Sequence, residues 1–146
     1  MPFAVIFPGQ GAATPGAGHP WTDHPAWSVV ADAEAATRLE LARLLLDADE
    51  AELSTTRASQ LAVLLGSLVA WDALSAELDE QPVAFAGHSL GQITALIAAG
   101  AIDRADGFRL AARRAGHRPR PGTGRRAPRP GATRRCGRPR RRPAAQ

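Results

Sequence analysis

The stretch VAFAGHSLGQITALIAAG, residues 83–100, carries three signals in succession. Pro82 to Ala86 is a short apolar run of the kind a buried strand makes. Residues 90–99 then change to helical spacing, with Leu90, Ile93, Leu96 and Ile97 as the buried side and Gly100 placed to close the helix. Between the two stands Gly87-His88-Ser89-Leu90-Gly91. A G-x-S-x-G string between a strand and a helix is the pattern of a nucleophile elbow. The turn is tight, so small residues must flank the serine, and glycines at 87 and 91 let neighbouring backbones come close. The helix that follows aims its free N–H groups and the positive end of its dipole at Ser89. An oxyanion formed by attack of Ser89 would meet the N–H of Leu90. The bland alternative is a tight turn that carries a surface serine.

Phe3-Ala4-Val5-Ile6-Phe7 is a second continuous apolar run, ended by Pro8-Gly9. It reads as a strand buried on both faces, as in a parallel sheet. No positive region precedes it, so it does not have the pattern of a secretory signal. Ligands gather at the carboxyl ends of strands in α/β sheets. Phe7-Pro8-Gly9-Gln10-Gly11 and the elbow are therefore expected on one edge of the sheet. A Gly-Gln-Gly backbone there could supply a second oxyanion donor, although alone the segment reads as a plain turn.

Residues 8–25 are loop-like, with four prolines and four glycines. Residues 26–46 have helical spacing, with Leu41, Leu44 and Leu45 on one face and Glu40 and Arg43 turned outward. Asp47 to Glu52 reads as an acidic connector. Residues 56–78 form the longest helical pattern, with a stripe from Leu61 through Leu68 and Trp71 to Leu74 and Leu78. Asp103 and Asp106 make an imperfect capping box for a helix over about 104–114. Strand, helices, strand, tight turn, helix is the order of an α/β architecture with a parallel sheet.

A length of 146 residues is one domain's worth, and the 45% hydrophobic content is that of a globular chain. The charge is not evenly spread. Residues 1–115 hold all 14 acidic residues and 7 arginines, whereas residues 116–146 hold 11 arginines and no acid; the net charge is +4. The chain has no lysine and no tyrosine. No apolar run is expected to reach the ~20 residues of a membrane span. The single cysteine, Cys136, allows no internal disulfide and no cysteine-based zinc site, and a reducing cytoplasm is the simplest compartment. No internal repeat suggests a solenoid. Residues 116–146 contain no Leu, Ile, Val, Phe, Met or Trp. Such a stretch cannot offset an ordering entropy of ~1–2 kcal/mol per residue and is expected to be disordered.

AVIFPGQGA at 4–12, TTRASQLAVLLGSLVAW at 55–71 and AFAGHSLGQITALIAAGAI at 84–102 together resemble the malonyl-CoA:acyl carrier protein transacylase family. That family includes the acyltransferase domains of fatty acid and polyketide synthases. The resemblance covers about residues 3–115 and implies an α/β-hydrolase-like core, of which this chain would be the N-terminal part. It implies that Ser89 takes the acyl group from coenzyme A as an ester, with Leu90 and Gln10 as backbone oxyanion donors. It places His88 in the pocket lining and Gln60 near the acyl site. It sets Arg114, with Arg113 beside it, where the family pairs an arginine with the malonyl carboxylate; a guanidinium fork suits a carboxylate. The alternative for Arg114 is a solvated arginine favoured by the helix dipole.

This sequence departs from the family at Gln92, where glutamate is usual, at Leu61, where proline is common, and through Ala12-Ala13-Thr14-Pro15-Gly16. The family's general-base histidine and a ferredoxin-like subdomain lie beyond the matched region. His19, His24 and His117 are substitutes only by default, and serine is a weak nucleophile without a base. The expectation is an incomplete chain with little or no transacylase activity, exposed sheet edges and poor solubility.

The basic stretch has three readings. An out-of-frame reading of a GC-rich gene, which yields Arg, Pro, Gly and Ala, fits its abrupt start best. A disordered arm for a polyanion such as nucleic acid is disfavoured by the lack of stacking aromatics. A sorting or partner-binding extension is the third. The implied partners are malonyl-CoA and an acyl carrier protein, with no membrane; no metal or resident cofactor is implied, and coenzyme A enters as the substrate thioester. Two alternatives stay open: a serine hydrolase or esterase of G-x-S-x-G type, and a non-enzymatic, basic-tailed polyanion-binding protein.

Overall fold

The computed structural model describes residues 1–116. The expected disordered stretch, His117 and Cys136 lie outside the described residues, apart from Gly116 itself. The elements are β1 (Ala4–Phe7), two single 3-10 turns (His19–Trp21 and Pro25–Trp27), α1 (Ser28–Thr37), α2 (Ala42–Leu46), α3 (Glu50–Leu53), α4 (Thr56–Ala76), β2 (Ala84–Gly87), α5 (Gly91–Ala98) and α6 (Arg104–Gly116). The fold is α/β. β1 and β2 pair in parallel with Ala4 opposite Ala84 and Phe7 opposite Gly87, so both strands end together.

One face of this sheet is covered. Phe7 stacks on Phe85 with ring centroids 6.5 Å apart, and Trp71 of α4 meets Phe85 edge-on at 5.2 Å. Ala95 of α5 completes that cluster. The other face carries Ala4, Ile6, Ala84 and Ala86, all exposed, with Ile6 at 76%. The expectation that β1 is buried on both faces is thus corrected. Among the described residues the helices cover one side, and alternation along the strand sends every second side chain to the open one.

Residues 26–46 also differ from a simple reading of their spacing. Arg38 adopts φ 60°, and its N–H donates to the Glu34 carbonyl, which ends α1. The Glu34 carboxylate then accepts from the N–H groups of Leu41 (2.6 Å) and Ala42 (2.8 Å). A carboxylate on two free N–H groups caps α2. The acidic connector holds a helical turn, α3, because Asp49 accepts from the N–H of Glu52 at 2.8 Å.

α4 is the central helix. Thr55 caps it by accepting from the Ala58 N–H, and Leu64, Leu65, Leu68 and Val69 are at most 1% exposed. An apolar window within its 21 residues has a mean hydropathy of 1.3, enough to cross a membrane by length and composition alone. In this fold 67% of that apolar window is buried inside the protein. Two leucines placed on buried stripes point outward instead: Leu74 is 50% and Leu96 43% exposed.

α6 runs to Gly116, two residues beyond the expected end. The Asp103 carboxylate accepts from the N–H groups of Ala105 and Asp106 and caps it. A Cβ at Gly107 would lie 2.4 Å from Ile97 Cγ1, so α5 and α6 approach as only glycine permits. Arg104 forks onto Asp72 of α4 at 2.7 and 2.6 Å, and that bond holds its guanidinium pKa above the ordinary value.

Candidate active site

The paired strand ends set two loops side by side. His88 N–H donates to the Phe7 carbonyl at 3.2 Å, which ties the elbow to the end of β1. Ser89 has φ 54°, left-handed backbone that costs a non-glycine residue about 1–3 kcal/mol. The surrounding contacts impose it. A Cβ at Gly87 would fall 2.0 Å from the Gly91 backbone, and one at Gly91 would fall 2.3 Å from the Phe7 carbonyl oxygen. Helix α5 therefore starts directly against the end of β1, and the chain reverses within two residues. Gly91 N–H donates to the His88 carbonyl at 2.8 Å and closes the turn.

Two distant parts of the chain meet the elbow. Arg114, from the end of α6, donates from Nη2 to Ser89 Oγ at 2.6 Å. Arg113 is exposed, so the two neighbouring arginines differ in what they face. The second is the Pro8–Gly11 loop, which follows the end of β1. A Cβ at Gly9 would be 2.9 Å from the His88 ring nitrogen Nδ1, so the loop sits against the exposed His88. Gln60 Nε2 donates to Gln10 Oε1 at 2.7 Å. Gln60 is 6% exposed, and its Oε1 has no partner among the described residues. The N–H groups of Leu90 and Gln10 likewise have no protein acceptor among the described residues. An amide without an acceptor is free to receive an oxyanion.

Of the residues singled out in the sequence, Ser89 and Arg114 are in direct hydrogen-bond contact. Gln10 and Gln60 bond to each other, and Gln10 sits in the loop that packs on His88. Leu90 follows Ser89 as the buried cap of α5. The two default histidines stand elsewhere. His24 Nδ1 accepts from the Ala26 N–H and caps a 3-10 turn, and His19 lies against Gly16. Ser59 was not singled out by sequence reasoning. It is 5% exposed, and its Oγ accepts from the Gly11 N–H at 3.2 Å. A serine near a helix start reads as a cap, and its position beside Gln60 was the one available signal. Among the described residues no group of three or more His, Cys, Asp or Glu side chains could hold a metal ion.

The α/β fold thus presents a strained serine at a strand-to-helix elbow, with a guanidinium on its hydroxyl. The chain belongs to the acyl transferase domain family, whose profile matches residues 4–129. It is 37% identical over 120 residues to the malonyl CoA-acyl carrier protein transacylase of Mycobacterium tuberculosis strain H37Rv, a match covering 76% of this chain and 38% of that protein. Among solved structures it is similar to an acyl-carrier-protein S-malonyltransferase from Burkholderia pseudomallei 1710b, with TM-score 0.73, 34% identity and coverage of 79% of this chain and 38% of that one. It is also similar to a malonyl-transacylase solved with a type II polyketide acyl-carrier protein, at TM-score 0.71 and 33% identity over 79% of this chain and 38% of that one. The chain spans 27 to 38% of the length of the curated relatives it matches.

Proposed function

We propose that the site takes a malonyl group from coenzyme A onto Ser89 and passes it to an acyl carrier protein. The single observation that carries this is the 2.6 Å contact between Arg114 Nη2 and Ser89 Oγ. A hydrolase for neutral esters has no use for a cation at its nucleophile, whereas a malonyl group brings a carboxylate for the fork to bind.

In the first half-reaction, Ser89 Oγ attacks the thioester carbonyl. The Oγ–C bond forms, the Ser89 proton passes to solvent water, and negative charge collects on the carbonyl oxygen between the Leu90 and Gln10 amides. Collapse breaks the C–S bond, and the departing sulfur takes a proton from solvent, so coenzyme A leaves as its thiol. In the second half-reaction, a phosphopantetheine thiol on the carrier protein gives its proton to solvent and attacks the serine ester; the C–O bond breaks, and Ser89 Oγ takes up a proton in its place. Arg114 cannot be the base, since a guanidinium has donors and no acceptor. Among the described residues it is the one hydrogen-bond partner of Ser89 Oγ. The partners in this reading are malonyl-CoA and an acyl carrier protein, and a cytoplasmic setting follows from the coenzyme A thioester.

The test is intact-mass and peptide analysis of the chain after incubation with malonyl-CoA or acetyl-CoA, which reads the first half-reaction alone. A slow malonyl adduct on Ser89 is expected, since no base contacts its hydroxyl among the described residues, absent in Ser89→Ala and with preference over acetyl lost in Arg114→Ala. An adduct on another residue, or equal uptake of both acyl groups by the parent chain, would sink the reading.

A further inference from the structure

We propose that Ser59 is a positioning residue: its hydroxyl fixes the main chain of the Gly9–Gly11 loop so that the Gln10 N–H faces the oxyanion. This deepens the acyl-transfer reading above and rests on it.

The direction of the Gln10 N–H is set by the peptide plane between Gly9 and Gln10. Two glycines flank that residue, and glycine has the widest backbone freedom. Gly11 adopts φ 101°, and no atom lies within 4 Å of where its Cβ would be. Packing therefore leaves that side of the loop unrestrained, and hydrogen bonds must hold it. Gly9 is confined by the His88 ring. The Gln60 amide grips the Gln10 side chain, which does not fix the main chain. Among the described residues, the Ser59 hydroxyl is the one side-chain partner of the loop's main chain, through the Gly11 N–H.

Ser59 suits this task. Its own N–H donates to the Thr55 carbonyl at 3.0 Å, so its backbone belongs to the rigid first turns of α4. It is 5% exposed, so water competes little for the bond. Its side chain has one heavy-atom torsion, and the hydroxyl has little scope to wander. Gln10 is thus bracketed on both sides, and its amide is set in advance of reaction. Donors aimed before charge develops need no reorganisation in the transition state.

The experiment uses the 146-residue chain and its Ser59→Ala and Ser59→Thr variants with two probes. A small alkylboronic acid forms a tetrahedral, anionic adduct on a serine oxygen and reports the oxyanion site. Free malonate reports binding at Arg114 without an oxyanion. In Ser59→Ala, boronate affinity should fall by about 10-fold to 100-fold, in line with a loosened donor, while malonate affinity stays level. Ser59→Thr, which keeps the hydroxyl, should restore boronate binding. Exchange of the Gly11 amide with solvent should be slow in the parent, faster in Ser59→Ala and slow again in Ser59→Thr.

Equal boronate affinity in Ser59→Ala and parent overturns the proposal, as does unchanged Gly11 exchange. Parallel loss of both probes without rescue by threonine reassigns Ser59 to holding the fold. If the parent takes up neither probe, the acyl-transfer reading fails and the oxyanion role of Ser59 falls with it. The exchange data then show separately whether the contact exists.

Discussion

The two faces of one short strand behave as different materials. At its carboxyl end, Phe7 is 4% exposed, and the elbow beside it has no room for a single added carbon. One residue earlier, Ile6 is 76% exposed on a face that nothing among the described residues covers. Both side chains are large and apolar. Composition therefore does not decide burial here; the alternating direction of side chains along the strand does. The contrast separates what the site needs from what the strand merely carries.

The largest effect that could break this contrast comes from the strand itself. Phe7→Ala should cost about 3–5 kcal/mol, and Ile6→Ala should stay within about 0.5 kcal/mol. Urea denaturation of the two variants checks this, and equal losses would mean that both faces are covered in solution. Next, Gly87→Ala should cost about 3 kcal/mol or more, because the new carbon meets backbone and not a flexible side chain. Its midpoint in the same titration is the measure. Ser89→Gly works the other way. It relieves φ 54° and should raise stability by up to about 1 kcal/mol while abolishing acylation.

The smallest effect lies away from both regions. Arg43 forks onto Glu52, with one arm at 2.8 Å, and this hydrogen bond holds the Glu52 pKa below its ordinary value. A carboxylate depressed in the folded state stabilises above its unfolded pKa and loses that contribution as pH falls through its folded pKa. Glu52→Gln should therefore lower thermal stability slightly at neutral pH and not at all in strong acid. The neutral-pH difference should also shrink in high salt, because the pair is exposed.

Much of the arrangement could be read before any coordinates. The apolar runs located both strands, and the period of three to four residues located α4, α5 and α6 to within a few residues. G-x-S-x-G placed the strained serine because its glycines are required by backbone contact, a constraint that leaves a mark in sequence. The break between α1 and α2 left no such mark. It depends on Glu34 reaching seven and eight residues ahead to cap another helix, and local propensity does not register a bond of that span. Periodicity gathered Leu74 and Leu96 with their neighbours, but it reports which residues share a face, not whether a partner covers it. Ser59 was hidden for a related reason: its bond crosses 48 residues to a glycine amide, and neither residue type announces it.

Helix α4 has fastenings near both ends. Ser59 and Gln60 hold the amide loop at its start, and Asp72 holds the base of α6 about 18 to 20 Å further along, by the rise of an α-helix. The amide loop and the helix that delivers the guanidinium are thus referenced to a single rod, like the two jaws of a calliper. Tilting the rod carries both jaws together and preserves the gap between them. A change at either fastening alters the gap, so Ser59, Gln60 and Asp72 bear on the spacing beside Ser89.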